Sequence, residues 1–256
     1  MIVHIHTLCH NERKLMSTVM KYWRVIASHV FVYLMKSSND GSREYLEQFN
    51  DFVTIIDIED NDGFNDGRNR DLKNQVWKNS IGKADFVIVT DFDECVWSNN
   101  IQKELEYMVS NNMTIATPKF WNLIQEEKVD LEEIVKKDKF LHEEVRATLV
   151  EGAKTVVFNP NKITEINYIP GAHKCYPKGE VKWYDRDKIH TFHCKFLGFQ
   201  YFIEKIQKLG ERLSITNKLH GWGYHYLLNY EYHKKTFEDT LKQSIILSEV
   251  LTDDKA

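Results

Sequence analysis

Three carboxylates follow one short apolar run in the first half of the chain. In the stretch "ADFVIVTDFDE" the apolar residues stop abruptly at Asp91, Asp93 and Glu94. Side chains alternate along an extended strand, so Asp91 and Asp93 are expected to project to the same side. Two carboxylates on the same side of a strand, two residues apart, repel each other unless a cation lies beside them. Oxygen ligands suit a hard ion such as Mg²⁺ or Mn²⁺, and the pattern therefore predicts a cation site at Asp91 and Asp93.

Two other interpretations of the same acids stay open at this point. In haloacid-dehalogenase-type phosphatases a strand ends in D-x-D-x-[TV], and "DFDECV" resembles that motif with Asp91 as the nucleophile. There the motif lies on the first strand and a later acidic pair completes the site. Here the motif follows about the fourth strand, and the later pair is Asp253 and Asp254 in the tail. The acids are otherwise polar strand-end residues, with Asp93 or Glu94 capping the segment that follows.

The elements that must position these acids alternate between strands and helices. The apolar, β-branched runs predict strands, and helical periodicity separates them. Strands are predicted at 3–7, 29–35, 52–58 and 86–90, and helices at about 12–28, 43–50 and 72–80. This alternation predicts an α/β fold with a mostly parallel, mixed sheet flanked by helices. Because ligands bind at the carboxyl ends of such strands, the polar loops are expected to converge on one crevice.

The second half of the chain does not keep this alternation. Helices are predicted at 99–112, 200–214 and 220–235, with longer strands at 113–123 and 187–198. The charged stretch 125–149 is predicted to be an exposed helix or a lid, and the final residues a frayed tail. No linker, repeat or low-complexity tract separates the halves. We therefore expect a single domain.

Composition and charge exclude several classes of protein. The 256 residues are long enough to bury a sizeable core, and 42% of them are hydrophobic. The formal net charge of −4 gives no basic field for nucleic acid. Four scattered cysteines without metal-type spacing suit reduced thiols. With no signal-peptide pattern and no apolar run long enough to span a bilayer, the sequence predicts a cytoplasmic protein, with peripheral membrane contact left open.

Four polar motifs follow the four predicted strands in a fixed order: "TLCHNE", "SSNDGS", "GFNDGRNRD" and "DFDE". In this order and spacing, residues 1 to about 100 resemble the GT-A glycosyltransferases, specifically the family 2-like, DxD-containing members. The resemblance implies a GT-A fold, with a nucleotide-sugar-binding half at 1–110 and an acceptor-binding half at 111–256. It implies a hexosyl- or pentosyltransferase that uses Mn²⁺ or Mg²⁺ and a nucleotide-diphosphate sugar, UDP ahead of GDP. The acceptor would be a saccharide or glycoconjugate, in polysaccharide or glycan biosynthesis.

The resemblance also assigns residues to the donor site. Asp93 would be the principal metal ligand, with Asp91 near the metal or the ribose. The acid that opens the second motif in the family is missing, because Met35 and Lys36 stand in its place. The residues expected to contact the nucleotide or its phosphates are Leu8, Asn11, Glu12, Arg70 and Lys73, with Asp40 or Asp57 as the substitute acid.

Histidines and aromatic residues of the second half supply further candidates. Several GT-A enzymes add a late His to the metal, and His193 is the candidate for that role, with Lys195 beside the diphosphate. For a lone His the ordinary alternative is a hydrogen-bonded core residue. The candidate bases are His173, Asp185 and Asp187, and the candidate acceptor-binding residues are Trp121, His220 and Trp222. Each of these also has a structural interpretation, as a charged turn or as an aromatic core residue.

Two alternatives lie outside the transferase interpretation. His4 and His6 form an H-x-H pair like those of amidohydrolase-type barrels. That fold needs eight strand–helix repeats, which the second half of the chain does not supply. A sugar-binding module without catalysis is the non-enzymatic alternative.

Overall fold

The computed structural model of the chain describes residues 1–152 and 154–251. Within those ranges the strands are β1 (Val3–Cys9), β2 (His29–Met35), β3 (Val53–Ile58), β4 (Phe86–Asp91), β5 (Glu94–Trp97), β6 (Ile115–Ala116), β7 (Lys119–Gln125), β8 (Arg146–Val150), β9 (Val157–Phe158), β10 (Ile163–Glu165), β11 (Lys178–Gly179), β12 (His190–Leu197) and β13 (Ile245–Ile246). The helices are α1 (Met16–Ile26), α2 (Ser42–Leu46), α3 (Asp66–Gln75), α4 (Ile101–Ser110), α5 (Leu131–Lys136), α6 (Leu141–Glu144), α7 (Phe199–Glu211), α8 (Ile215–His220), α9 (Tyr230–Gln243) and α10 (Leu247–Leu251).

The larger sheet has the strand order β3-β2-β1-β4-β9-β6. Strands β1 to β4 are parallel, whereas β9 is antiparallel to both of its neighbours. The central strand β1 is buried along its whole length, as expected for a strand covered on both faces. Helices flank the sheet, so the predicted fold class, a mostly parallel mixed sheet flanked by helices in a single domain, is confirmed.

The parallel register brings the carboxyl ends of β1 and β4 to one level. Leu8, at the end of β1, pairs with Asp91 on one side and with Tyr33 of β2 on the other. The loops that follow these strands therefore leave from the same edge of the sheet. This is the edge at which open α/β sheets bind ligands.

The smaller sheet has the order β13-β8-β7-β12-β5. Its edge strand β5 begins at Glu94, only three residues after β4 ends at Asp91 in the larger sheet. The chain thus crosses from one sheet to the other through Phe92 and Asp93. On β5, Glu94 pairs with His193 of β12. The predicted acidic motif therefore lies at the junction of the two sheets.

Apolar packing fixes this crossover. Phe92 is 2% exposed and packs edge-on against Trp23 of α1, with ring centroids 5.0 Å apart. Burying a side chain of this size contributes about 1.5–3 kcal/mol. The α1 face predicted from periodicity, which includes Val19, Trp23 and Ile26, is buried in the same core. The packing of Phe92 therefore fixes the position of the two acids beside it, Asp91 and Asp93.

Three local predictions differ from the structure. The segment predicted as a loop at 59–71 includes the start of α3, because the Asn65 side chain caps the helix by accepting from the Arg68 amide at 3.0 Å. The charged stretch 125–149 folds as α5 and α6 and continues into β8. The closing helix predicted at 220–235 is interrupted, because Gly221 and Gly223 both have a φ of 68°. Of the tail, 249–251 belongs to α10, and 252–256, with Asp253 and Asp254, lies outside the described residues.

No helix in the described part of the chain is both long enough and apolar enough to cross a membrane.

Candidate functional site

A cavity of about 830 Å³ opens at the carboxyl edge of the larger sheet, next to its junction with the smaller sheet. The polar loops predicted to converge do so here. The predicted site residues that line the cavity are Leu8, Asn11, Glu12, Asp40, Arg70, Lys73, Asp91, Asp93, His173, His193 and Lys195. Eleven residues from separate parts of the sequence are thus brought to one place.

Asp93, Glu94 and His193 form a set of metal-type donors in this cavity. One ligand atom from each lies within 4.8 Å of the other two. His193 Nε2 is 3.2 Å from Asp93 Oδ2, and its Nδ1 is 3.0 Å from the side-chain oxygen of Asn122. Nδ1 donates to the Asn122 oxygen and so orients the ring with Nε2 toward Asp93, where a bound cation would take the place of the Nε2 proton. Two carboxylates and one imidazole fit a divalent cation such as Mn²⁺ or Mg²⁺.

Asp91 is held differently, by two ammonium groups. Lys73 Nζ lies 2.6 Å from Asp91 Oδ1, and Lys154 Nζ lies 2.8 Å from Asp91 Oδ2. Burial alone would raise the pKa of Asp91, but Lys154 and Lys73 hold this pKa well below its usual range. Lys154 also contacts Glu94 Oε1 at 2.5 Å, and that glutamate is 1% exposed. One lysine therefore joins two of the three acids.

Lys205 of α7 joins Asp93 to Glu12. Its Nζ lies 2.7 Å from Asp93 Oδ2 and 3.0 Å from Glu12 Oε1. Burial raises the pKa of Glu12 to about 7 in spite of this lysine. The pKa of Asp93 is lowered well below its usual range, because Lys205 and His193 outweigh the effect of burial. The same oxygen of Asp93 that faces His193 therefore already holds a cationic side chain.

The loops after β1 and β2 are tied together beside the cavity. Asp40 accepts hydrogen bonds from the Arg13 amide at 2.9 Å and from the Ser42 amide at 3.0 Å. Asn11, which has a φ of 53°, accepts from the Asn39 amide at 2.8 Å. These hydrogen bonds connect the loop after β1 to the loop after β2.

The structure places a different acid near the position where the family acid is missing. Asp57 is an exposed partner of Arg43 and does not line the cavity. Asp60, which follows β3 and is 6% exposed, accepts from Arg212 Nη2 at 3.1 Å. Arg212 in turn lines the cavity and donates to His10 Nδ1 at 2.6 Å. Asp60 thus contacts Arg212, a residue of the cavity wall.

Sequence reasoning missed Lys154, Lys205 and Arg212, and little in the sequence distinguishes them. Lys205 and Arg212 belong to the helix predicted at 200–214, where a charged side chain is ordinarily solvated. Lys154 follows a glycine turn in a stretch without a motif. Helical periodicity could have indicated that Lys205 lies close to the apolar face formed by Phe202 and Ile206, and nothing comparable marks Lys154.

The structure separates the other predicted residues from the cavity. Trp121 is buried in β7 and donates to His190 Nδ1 at 3.2 Å, as a core tryptophan does. Asp185 accepts from the Tyr107 hydroxyl at 3.1 Å, and Asp187 pairs with Lys119 at 3.4 Å. Of the three candidate bases, His173 is therefore the one that lines the cavity.

His220 and Trp222 line a neighbouring groove rather than the cavity itself. Their rings stack with centroids 4.5 Å apart, beside Gly67 of α3. Arg70 lines both the groove and the cavity. These two candidate acceptor residues thus lie on a surface adjacent to the predicted donor site.

His4 and His6 lie inside the fold, away from the cavity. His4 Nδ1 and His6 Nε2 are each 2.8 Å from the Ser80 hydroxyl, and His6 also contacts the Tyr33 hydroxyl at 3.1 Å. Burial lowers the pKa of His6 to about 3. The H-x-H pair is a buried hydrogen-bonded cluster in an open sheet, and the barrel alternative does not describe this chain.

No protein-family model and no curated protein sequence matches the chain. Among solved structures, S. aureus TarS 1–349 in complex with UDP-GlcNAc is similar over 95% of this chain and 72% of its own, with 11% identity and a TM-score of 0.45. GalNAc-T7 with UDP, GalNAc and Mn²⁺ is similar over 80% of this chain and 47% of its own, with 11% identity and a TM-score of 0.46. The chain spans 43% of a longer TarS structure. At these values the nucleotides, sugar and metal of those complexes are properties of those proteins.

Proposed function

We propose that the chain is a metal-dependent glycosyltransferase that takes a sugar from a nucleotide-diphosphate donor to a saccharide or glycoconjugate acceptor. The observation that carries the proposal is the donor set of Asp93, Glu94 and His193. It combines residues of the β4–β5 crossover with a residue of β12, at the carboxyl edge of a parallel sheet. A carboxylate-rich set at this edge suits a cation that is shared with phosphate oxygens.

Asp93, Glu94 and His193 would hold the cation, Mn²⁺ or Mg²⁺. When bound, such an ion stabilises the negative charge that develops on a diphosphate leaving group. Asn122 orients the His193 ring and so sets which nitrogen faces the cation. The protein's part is to keep these ligands in place before the donor arrives.

The cationic side chains of the cavity supply a second source of charge for the diphosphate. Lys73, Lys195 and Arg70 all line the cavity. A diphosphate carries several charged oxygens, and fixed cations in a partly desolvated cavity stabilise them more strongly than water would. Under this proposal residues 1–110 bind the nucleotide, UDP ahead of GDP, and 111–256 supply the acceptor side. Lys195 and His193 also line the cavity, so under this proposal the second half contributes to the donor site as well.

Asp91 is better suited to orienting the site than to acting as a nucleophile. Both of its oxygens already accept from ammonium groups, of Lys73 and Lys154. The motif also follows the fourth strand, β4, whereas the phosphatase pattern has it on the first strand. The position of the motif therefore supports the transferase proposal over the phosphatase alternative.

His173 is the residue we propose as the base for the acceptor hydroxyl. It lines the cavity, and burial lowers its pKa, so the imidazole is neutral at pH 7 and has a lone pair to accept a proton. Its pKa is lowered further by the Lys154 charge. Asp185 and Asp187 remain predicted bases, and both are exposed and do not line the cavity.

A thermal-shift experiment with UDP and Mn²⁺ tests the proposal. We expect the two together to raise the Tm of the wild-type chain more than either does alone, because a ligand that binds only the folded state stabilises it. Asp93→Asn should abolish the metal-dependent part of this shift, and Asp185→Asn should retain it. A wild-type shift that is the same with and without Mn²⁺, or one that survives in Asp93→Asn, would contradict the proposal.

A further inference from the structure

Large apolar side chains are concentrated on the surface of one segment after α7. Between α8 and the first turn of α9, six of them are about half exposed or more. They are Ile215, Leu219, Tyr224, Leu227, Tyr230 and Tyr232. The two most exposed large hydrophobic residues in the described chain, Leu219 at 79% and Ile215 at 76%, both belong to α8. A concentration of this kind marks an interaction surface rather than ordinary scatter.

Helix α8 is oriented opposite to an ordinary amphipathic surface helix. Its buried residue is Asn217, whose side chain accepts from the Asp66 amide at 2.9 Å and donates to Asp66 Oδ2 at 2.8 Å. This polar contact fixes α8 to the start of α3. Ile215 and Leu219, four residues apart, then share the outward face. Specific hydrogen bonds therefore hold α8 in the orientation that places its apolar face on the outside.

The charges around these apolar residues are mainly positive. Segment 215–235 carries three lysines, Lys218, Lys234 and Lys235, all exposed, and one acid, Glu231. The whole chain, in contrast, has a formal net charge of −4. The surface that is richest in exposed apolar side chains is thus also locally basic.

We propose that segment 215–235 is a membrane-docking surface that lies on a bilayer with anionic headgroups. Leucine and isoleucine would enter the interfacial region, and tyrosines would place their rings there with the hydroxyls toward water. The lysines would contact the headgroups, each adding to the attraction near an anionic surface. A second copy of the chain fits less well, because a two-fold contact through this segment brings two surfaces of net positive charge together.

The position of this surface connects it to the cavity. His225 and Tyr226, from the same segment, line the cavity wall. Docking would therefore bring the mouth of the cavity close to the bilayer. Resting on the proposed function, this placement suits an acceptor that carries a lipid anchor.

Vesicle flotation of the full chain, without nucleotide, tests the docking surface. We expect the wild-type protein to float with vesicles of phosphatidylcholine and phosphatidylglycerol, to float far less with phosphatidylcholine alone, and to be released by high salt. The double variant Leu219→Ser, Tyr224→Ser should lose about tenfold or more in partitioning. Lys234→Glu, Lys235→Glu should also lose about tenfold. The matched control is Val25→Ser, Val109→Ser, whose side chains are 51% and 53% exposed elsewhere, and it should float like the wild type.

Three results would overturn the proposal. They are no flotation of the wild-type chain, equal loss in the valine control, or a dimer in light scattering that Leu219→Ser, Tyr224→Ser dissociates. The variants lie on the surface, so their folding is checked by an unchanged Tm. Their UDP- and Mn²⁺-dependent shift should also be unchanged. Flotation can therefore contradict the docking surface while the thermal shift supports the transferase proposal. The thermal shift can likewise contradict the transferase proposal while flotation supports the docking surface.

Discussion

The two sheets contribute to the cavity in different ways. The larger sheet supplies Asp91 at the end of β4, and the three acids Asp91, Asp93 and Glu94 lie within four consecutive residues at its crossover to β5. The smaller sheet and the helix that follows it supply partners from far along the chain, such as His193 and Lys205, which lie 100 and 112 residues from Asp93. The first contribution follows from local sequence, whereas the second depends on how the sheets meet. The acids could be recognised as a motif, and their counter-charges could not.

Lys154 provides the strongest test of this difference. Lys154→Met should lower the free energy of unfolding by about 3–5 kcal/mol, because it leaves the buried Glu94 carboxylate without its ammonium partner and leaves Asp91 with Lys73 alone. Denaturant unfolding measures the loss. Lys162→Met removes an exposed pair with Glu180 and should change stability by about 0.5 kcal/mol or less. If both variants are equally stable, the acids do not depend on the distant lysine.

Asn122 tests whether the smaller sheet orients the cation ligands. Asn122→Ala should weaken Mn²⁺ binding about 10- to 100-fold, because it removes the hydrogen-bond partner of His193 Nδ1. Electron paramagnetic resonance of free Mn²⁺ measures the affinity. Asn122→Asp, which keeps an acceptor oxygen, should retain more of the affinity than the alanine variant. Equal affinities for all three proteins would show that the ring needs no orientation.

His6 is a buried histidine of the larger sheet, unlike His193, which belongs to the smaller sheet and lines the cavity. Burial lowers the pKa of His6 from 6.5 to about 3, so between these pH values the unfolded chain binds the extra proton. The contribution of His6 to stability is therefore present above pH 6.5 and is lost as pH falls toward 3. His6→Gln should reduce the drop in unfolding free energy between pH 7 and pH 5 by about 2 kcal/mol. An unchanged drop would mean that His6 does not titrate in this way.

A change at Lys205 has the smallest expected effect on Mn²⁺ affinity. The direction of that effect shows whether the lysine competes with the cation or supports it. Its ammonium group contacts the same Asp93 oxygen that faces His193, so it competes with a cation for that oxygen. Lys205→Met should therefore tighten Mn²⁺ binding in the absence of nucleotide, by about 3- to 10-fold. Lys195→Met, which removes a cavity lysine further from this oxygen, is the control. Weaker Mn²⁺ binding in Lys205→Met would show that the lysine supports the cation site instead.

The sequence predicted the fold class because the strands of the first half are apolar runs that alternate with helices. It also predicted that the loops of Asn11, Asp40 and Asp91 meet, since parallel strands end at one edge. It did not predict that α3 begins at Asp66, because a single capping residue, Asn65, turned a loop-like composition into a helix. The partners of the acids depend on pairings such as Glu94 with His193, which no local pattern encodes.

Residue type was least informative where the same side chain suits both a core and a site. Trp121 is an aromatic residue of the type that stacks on sugars, but it is buried in β7. Asp185 has a carboxylate that could act as a base, but it is exposed away from the cavity and accepts from the Tyr107 hydroxyl. In both cases the deciding quantity is burial, which depends on the whole fold rather than on neighbours in sequence.

The most direct test of the central claim is the Mn²⁺ affinity of the wild-type chain and of Asp93→Asn, each with and without UDP. We expect UDP to tighten Mn²⁺ binding in the wild type, because the diphosphate and the protein share the cation. Asp93→Asn should bind Mn²⁺ weakly in both conditions, with folding verified by an unchanged circular dichroism spectrum. Equal Mn²⁺ affinity in the two proteins, or no effect of UDP on the wild type, would contradict a nucleotide-diphosphate site built on Asp93.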